Sequence, residues 1–269
     1  MSFLILKIIT NLVVGAYLYF VQIGMDTRFW GPSAWRLLHL VSFSTTETKK
    51  TCDFFNLLPY LLPCKYCRTS LSGFILKNPV DCAVRERRLP RWLWRIHNSV
   101  NEKLGVPKPY PPFSAVEKIY TERLNYGCTR TTFDGWDFLF SVAENHPYSR
   151  LGLGSEPIED APSPDGLSDL ERNKWNLLSC DEKYEKFVQF WNILPDVLPF
   201  PEWREAWRKH DSGHWSTRAD AIRTLWKIRS GMEKDMELLN KTSYSSLCKV
   251  LQENRASRGR TLKKKHTST

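Results

Sequence analysis

Residues 30–124 carry apolar side chains at helical spacing and show no strand alternation or hairpin signal of any length. Pro32 suits the first turn of one helix, and Pro63 ends another. Pro90 lies near the start of a fourth helix, and Gly105 is a plausible stop for it. The five predicted segments read WRLLHLVSF, TCDFFNLLPYLLP, CRTSLSGFILKN, LPRWLWRIHNSVNEKLG and FSAVEKIYTERL. Their short connections predict a compact antiparallel helix bundle and an all-α fold.

A second region begins near Cys128 and is also predicted to be mostly helical. We expect GWDFLFSVAENHP to form a helix that Pro147 breaks, and residues 151–169, rich in Gly, Pro, Ser and acids, to form a loop or linker. Three amphipathic segments follow, EKYEKFVQFWNILPDVLPF, PEWREAWRKH and RADAIRTLWKIRSGMEKDMELLNK. They contain Trp191, Trp203, Trp207 and Trp226. Because aromatic stripes usually mark buried faces, we favour packing over a ligand platform for these tryptophans.

The composition supports a folded protein, and 269 residues leave room for one large domain or two small ones. Hydrophobic residues make up 42% and charged residues 25%, which excludes a wholly disordered chain, a collagen-like fibre and a polytopic membrane protein. We divide the chain into a hydrophobic segment (residues 1–24), a bundle domain (25–127), a helical C-terminal domain of unknown role (128–254) and a basic tail (255–269).

The basic tail accounts for much of the net charge. The chain has 39 Lys and Arg against 29 Asp and Glu, a formal charge of +10. Six of the basic residues, with no acid among them, are Arg255, Arg258, Arg260, Lys263, Lys264 and Lys265. We expect a disordered, solvated tail or a localisation signal, and favour this over binding to nucleic-acid phosphates or anionic lipid. The folded body is only mildly basic.

Residues 3–24 read FLILKIITNLVVGAYLYFVQIG, with few polar side chains. This is about long enough for a helix to cross a bilayer, so a membrane anchor is our first interpretation. A cleaved signal peptide is a weaker alternative because no clear small-x-small cleavage site follows. A third alternative is that Met25 is the working start codon, which would leave residues 1–24 as an annotation artefact.

Cys64 and Cys67 form a C-x-x-C at the predicted start of a helix, next to Lys65 and Arg68. The helix dipole and the two cations favour a thiolate, which makes a redox-active pair plausible. The rival interpretation is half of a zinc site, which needs four ligands. The other cysteines, Cys52, Cys82, Cys128, Cys180 and Cys248, are loosely spaced, and no His neighbours Cys52 or Cys82. We therefore favour the redox interpretation.

Two helical segments offer rings and polar groups on shared faces. Trp35 and His39 are four residues apart, and so are His97 and Asn101, with Asn98 and Lys103 nearby. Taken singly, each histidine is more simply explained as a structural residue. Taken together, the two helices offer a lining for a large planar ligand with polar edges and phosphates.

Three motifs occur in order: W-G-x-x-x-W-x-x-L-H from Trp30, C-x-x-C from Cys64, and H-N-x-V-N-x-x-L-G from His97. In this order and spacing, residues 29–124 resemble the Erv/ALR family of FAD-dependent sulfhydryl oxidases. Two segments are similar in sequence to the branch of the family encoded by large double-stranded DNA viruses: MDTRFWGPSAWRLLHL and, downstream, FDGWDFLFSVAENHP.

The resemblance implies a four-helix bundle with a short fifth helix, FAD as cofactor and a homodimer. It implies that Cys64 is the outer cysteine, which exchanges with protein thiols, and that Cys67 is the inner one, which lies against the flavin. Electrons would then pass to O2 and give H2O2. The cofactor-binding residues it implies are Gly31, Trp35, His39, Phe43, His97, Asn98, Val100, Asn101, Lys103, Lys118 and Tyr120. Lys118 and Tyr120 follow an insertion at residues 107–112, so their match to the family pattern is less direct than that of the other residues.

Two departures from the family pattern stand out. Where many relatives have a structural disulfide, this chain has Trp94 and, in the partner region, Phe113 and Ser114. No second C-x-x-C or C-x-C supplies a shuttle pair, and Cys180 and Cys248 could pair only if the fold brought them together.

The resemblance predicts a viral thiol oxidase that forms disulfides in virion proteins, in the virion or in the host cytoplasm and virus factory, where the cytosol is reducing. Two alternatives stay open. One is a zinc-binding or scaffold protein of virions with an inactive redox site. The other is a nucleic-acid-binding protein that acts through the basic tail.

Overall fold

The computed structural model describes residues 24–44, 48–149 and 156–255. In these ranges the chain is helical, and the only extended pairing consists of two isolated bridges, Gly24 with Cys64 and Met25 with Arg255. The helices are α1 (Thr27–Phe43), α2 (Thr48–Leu61), α3 (Lys65–Lys77), α4 (Val80–Arg85), α5 (Leu89–Lys103), α6 (Phe113–Asn125), α7 (Trp136–Glu144), α8 (Asp169–Lys174), α9 (Cys180–Val197), α10 (Pro201–His210), α11 (Arg218–Asp235) and α12 (Tyr244–Glu253). The all-α prediction is confirmed.

The first half is a bundle of α1, α2, α3 and α5, with α6 as the fifth helix of the prediction. Helix α1 packs against α5 and α6, and α2 packs against α3 and the short α4. Pro32 lies inside α1 rather than in its first turn, because Asp26 accepts a hydrogen bond from the Arg28 N–H and begins the helix at Thr27. The predicted stop after α5 is correct, since Gly105 has a φ of 67°.

The second half packs directly onto this bundle. Helix α9 lies along α2, and the Phe190 and Phe54 rings are 5.5 Å apart. Helix α8 lies against α3, where the Asn173 side chain donates to Ser72 Oγ at 2.9 Å and to the Pro59 carbonyl at 3.0 Å. One hydrophobic core includes residues of both halves. Our division of the chain at residues 127 and 128 stays a prediction.

The tryptophans of the second half are core residues. Trp191, Trp203 and Trp207 are fully buried. The ring of Trp191 stacks on Trp215 at 4.3 Å with an angle of 4°. The packing interpretation is confirmed for these three residues, and Trp226 is half-buried against Tyr244 at 5.4 Å.

No helix in the described ranges is long and apolar enough to cross a membrane. The membrane-anchor prediction for residues 3–24 falls, except for Gly24, outside the described residues. The predicted basic tail, except for Arg255, likewise falls outside the described residues.

Candidate active site

The C-x-x-C motif lies at the first turn of α3. Cys64 is the residue that caps this helix, and its Sγ accepts a hydrogen bond from the Cys67 backbone N–H at 3.4 Å. Both thiols are free, so the structure describes the dithiol form. Because unpaired N–H groups and the helix dipole point at the cap position, this is where a negative charge on sulfur is stabilised.

The two thiols differ in acidity. The pKa of Cys64 is lowered from 9.0 to about 7, mainly because the Cys67 side chain hydrogen-bonds to it, and further by the Cys67 N–H and the Arg68 charge; burial opposes this shift. The pKa of Cys67 is raised, because its thiol donates to Cys64, is desolvated and faces the Cys64 charge. The first proton lost therefore comes from Cys64, and the thiolate is the nucleophilic form.

Buried cations surround this thiolate. Arg68 is 6% exposed and donates through Nη1 to the Leu62 carbonyl at 2.9 Å. Lys65 is 7% exposed, and its Nζ donates to the main-chain carbonyls of Glu156 and Pro157. Desolvation lowers the pKa of both cations, because burial disfavours a charge, and the charges of Cys64 and Cys67 partly oppose this shift at Arg68.

The second half of the chain supplies a further cation. Lys183 of α9 is 8% exposed and donates through Nζ to Asn176 Oδ1 at 3.2 Å. The Asn176 amide in turn donates to the Glu156 carbonyl at 3.0 Å, which is also the acceptor of Lys65. Burial lowers the pKa of Lys183 to about 8, and the charge of Arg68 lowers it further. The surroundings of the C-x-x-C are therefore built from both halves.

Alkylation of the reduced protein by iodoacetamide should show this acidity. Since the pKa of Cys64 is about 7, its alkylation rate should be half-maximal near pH 7 and about a tenth of the maximal rate at pH 6. Cys52 is an internal control, because burial and the Asp81 carboxylate raise its pKa to about 12 and its rate should still rise above pH 9. Peptide mapping by mass spectrometry over pH 5–10 measures both. A Cys64 midpoint near pH 9 would contradict the assignment.

A cluster of rings, the ring cluster, lies between α1, α5 and α6. Trp35, His39 and Phe43 are spaced by four residues on one face of α1. The Trp35 ring stacks on His97 of α5 at 3.8 Å with an angle of 7°. The Tyr120 ring of α6 lies 5.1 Å from His39 and 5.8 Å from Phe43. The fold thus brings together five of the predicted cofactor-binding residues.

The two histidines of the ring cluster are neutral at physiological pH. His39 Nε2 and His97 Nδ1 share a hydrogen bond of 3.1 Å. Burial lowers the pKa of His39 to about 3, helped by the charge of His97, and burial lowers the pKa of His97 to about 4. His39 Nδ1 is buried and has no hydrogen-bond partner in the described part of the chain. Such an atom is costly to leave unpaired, so the ring cluster fits a planar ligand with a polar edge, as FAD has.

The other predicted cofactor residues are placed as follows. Gly31 lies on α1, and Asn98, Val100 and Asn101 lie half-buried on α5 with His97. Lys103, two turns beyond His97, donates through Nζ to Ser70 Oγ of α3, and its charge acts on Cys67. Lys118 is 76% exposed and is 3.9 Å from Glu122, so the structure does not bring it into the ring cluster. The binding roles of these residues stay predictions.

The expected place of the family's structural disulfide is filled by aromatic packing. The Trp94 and Phe113 rings make an edge contact at 6.1 Å, and the Arg91 guanidinium lies 4.3 Å above the Phe113 ring. Trp94 Nε1 also donates to the Pro111 carbonyl at 3.0 Å. These contacts hold α6 against α5, and α6 carries Tyr120.

The described residues offer no set of side chains that would complete a zinc site at the C-x-x-C motif. Within the described ranges, no group of three or more His, Cys, Asp or Glu side chains could hold a metal ion. Cys52 donates to Asp81 Oδ1 at 3.1 Å, in a cleft of about 640 Å³ that belongs to α2 and α4.

The sequence analysis missed two features of the site, Lys183 and residues 24–26, which lie against Cys64 and Pro63. No local motif marks either, since both reach the site only through the fold.

Comparison with known proteins agrees with this geometry. Residues 32–122 match the model of the Erv1/Alr family. The mitochondrial FAD-linked sulfhydryl oxidase ERV1 of Saccharomyces cerevisiae is 35% identical over 89 residues, which cover 31% of this chain and 47% of the relative. The FAD-linked sulfhydryl oxidase of African swine fever virus is 29% identical over 121 residues, 41% of this chain and 98% of the relative. No solved structure matches the chain significantly.

The chain thus spans about half of the yeast relative and nearly all of the viral one. The matched range contains the C-x-x-C motif and the ring cluster, both placed by helices α1, α3, α5 and α6. Residues 32–122 of this chain are therefore a domain of the Erv1/Alr family.

Proposed function

We propose that this chain is an FAD-linked thiol oxidase that converts thiol pairs of protein substrates into disulfides. The observation that carries the proposal is the dithiol at the start of α3, where Cys64 is a helix cap with a pKa of about 7 beside the buried Arg68. The names of the relatives point to the same class of enzyme.

The ring cluster is the site we propose for FAD. Trp35, His97 and Tyr120 offer flat faces, and His39 Nδ1 offers a polar group that needs a partner. Since both histidines are neutral, either can match a donor or an acceptor on the ligand edge. FAD, when bound, supplies a two-electron acceptor for a dithiol and passes the electrons to O2, which yields H2O2.

The cysteine pair carries out thiol–disulfide exchange with the substrate. A substrate thiolate attacks Cys64 Sγ of the oxidised pair; the new S–S bond forms as the Cys64–Cys67 bond breaks, and Cys67 leaves as a thiolate. A second substrate thiolate then attacks the substrate sulfur, and Cys64 leaves. The substrate has lost two electrons, and the pair is now the dithiol.

The geometry suits these roles. A thiol of low pKa is a good leaving group, so the low pKa of Cys64 speeds the second exchange. Lys103 and Arg68 both act on Cys67 and stabilise the thiolate that leaves in the first exchange. Lys103 comes from the helix that carries His97, which links the cysteine pair to the ring cluster.

The setting of the enzyme is part of the proposal. The relative from African swine fever virus supports a viral protein. As its substrates we propose virion proteins that need disulfides where host thiols are kept reduced. We also propose a homodimer and a membrane anchor at residues 3–24. Sedimentation of the purified protein, and membrane fractionation of the full chain against a variant without residues 1–23, test these two points.

A visible absorption spectrum followed by oxygen uptake with dithiothreitol tests the oxidase proposal. We expect a yellow protein with flavin bands and thiol-dependent oxygen consumption, and a His97→Ala variant with much less bound flavin, because the Trp35–His97–His39 contacts are lost. His210→Ala, on α10 and away from the ring cluster, is the control and should keep its flavin. A colourless protein that stays inactive after FAD is added would refute the proposal, and zinc content would then be measured.

A further inference from the structure

Residues 24–26, which we call the strap, lie in extended conformation between the start of α3 and the end of α12. Gly24 forms an antiparallel bridge with Cys64, and Met25 forms one with Arg255. The Met25 N–H donates to the Pro63 carbonyl at 2.7 Å, and the Asp26 N–H donates to the Asn254 carbonyl at 2.9 Å. The strap therefore lies in a groove with Pro63 and Cys64 on one edge and Asn254 and Arg255 on the other.

The strap leaves Cys64 hardly accessible. Cys64 is 3% exposed, and Met25 beside it is 0% exposed. Yet Cys64 is the sulfur that a protein substrate has to reach. A substrate thiolate therefore cannot reach Cys64 Sγ while the strap is in place.

Only glycine allows the strap to close this far. A Cβ on residue 24 would lie 2.2 Å from the Pro63 carbonyl oxygen and 3.1 Å from the Cys64 Cα. Gly24 also has a φ of 137°, which other residues rarely adopt. Substitution of this glycine should open the strap while both cysteines are kept in the sequence.

The far edge of the groove is held firmly. Arg255 pairs with the carboxylate of Glu144, whose side chain is 2% exposed and also pairs with Arg218. Release of the strap would thus leave the Pro63 and Asn254 carbonyls in place as main-chain acceptors, one on each edge of the groove. An incoming extended segment could donate its own N–H groups to them, as in β-strand addition.

We propose that the strap occupies the groove through which an extended, cysteine-bearing segment of a protein substrate reaches Cys64, and that its release controls access. The inference rests on the proposed oxidase function. Residues opposite each other in an antiparallel bridge have Cα atoms about 4.5–5.5 Å apart. A disulfide joins Cα atoms about 4.4–6.8 Å apart, so a substrate cysteine opposite Cys64 is in range for the mixed disulfide.

A Gly24→Ala variant of the full chain tests this, with Gly73→Ala as the matched control. Gly73 lies in α3, and a Cβ there would meet nothing within 4 Å. We expect Gly24→Ala to raise the alkylation rate of Cys64 in the reduced protein about tenfold, since two strap hydrogen bonds are weakened. Oxygen uptake with a synthetic extended dithiol peptide should rise more than uptake with dithiothreitol. Gly73→Ala should change neither the alkylation rate of Cys64 nor the rate of oxygen uptake with the peptide relative to dithiothreitol.

The outcomes separate the inference from the function beneath it. Failure of the wild type to oxidise dithiothreitol would refute the oxidase, while the alkylation rates would still report on the strap. Faster amide exchange at Met25 and Asp26 in Gly24→Ala, without faster Cys64 alkylation, would overturn the proposal that the strap controls access to Cys64. If Gly24→Ala does not fold, wild-type rates decide: Cys64 alkylation that outruns strap opening, as measured by amide exchange, also overturns it.

Discussion

A Cys67→Ser variant is expected to fold, to bind FAD and to lose thiol oxidation by at least about 10³-fold, because one half of the exchanging disulfide is gone. Serine keeps the backbone N–H that donates to Cys64 Sγ, and its hydroxyl can donate as the Cys67 thiol does. The start of α3 should therefore be preserved. What is lost is the sulfur that leaves when a substrate thiolate attacks Cys64.

Oxygen uptake with dithiothreitol, at flavin contents matched by absorbance, measures this loss. Cys64→Ser should fail equally, since it removes the sulfur that the substrate attacks. Cys82→Ser is the control, because Cys82 is an exposed thiol of α4 whose nearest polar partner is Arg85 at 3.6 Å. Substantial turnover by Cys67→Ser would exclude the assigned pair and direct attention to the remaining thiols.

The bundle helices could be predicted because their determinants are local. Apolar spacing and the prolines and glycines near helix ends locate α1, α2, α3, α5 and α6 to within a few residues. Helix α4 has six residues, too few to show a period. Helix α1 begins earlier than Pro32 suggests, because capping by Asp26 outweighs the preference of proline for a first turn.

The candidate site could be predicted only partly. Pairs on one helix, such as Trp35 with His39, follow from spacing alone. Lys118 and Tyr120 are two residues apart on α6, so they point to nearly opposite faces. Tyr120 faces His39, which leaves Lys118 in solvent. The contact between His39 and His97 spans 58 residues, so helical spacing cannot predict it, although the sequence analysis had already grouped the two helices as one ligand lining.

The contributions of the second half could not be predicted from the sequence. The Arg68 charge acts on Lys183, and Asn173 donates to Ser72 Oγ, across separations of about a hundred residues. Neither residue is part of a motif, and a buried lysine is the opposite of what composition predicts. Such placements follow from how α8 and α9 pack on α3 and α2. They also give the second half a place beside the cysteine pair.

If the second half stabilises the bundle, a Phe190→Ala variant should lose about 3–5 kcal/mol of unfolding free energy. The Phe190 side chain of α9 is fully buried, and its ring lies 5.5 Å from the fully buried Phe54 ring of α2. Truncation leaves a cavity at the junction of the two halves. Because one core runs through both, the bundle should be weakened as much as α9 itself.

Urea unfolding measures this with pulsed amide exchange and mass spectrometry, read on peptides of α9 for the second half and on peptides of α2 and α5 for the bundle. Both should report one transition, shifted together by Phe190→Ala, since the packing of α9 on α2 couples them. Leu239→Ala is the control: Leu239 is 62% exposed, and its loss should cost less than about 0.5 kcal/mol. A variant whose α9 peptides shift in midpoint while the bundle peptides keep the wild-type midpoint would show two independent units. The second half would then contribute nothing to the stability of the Cys64–Cys67 site, and the buried Lys183 would need another explanation.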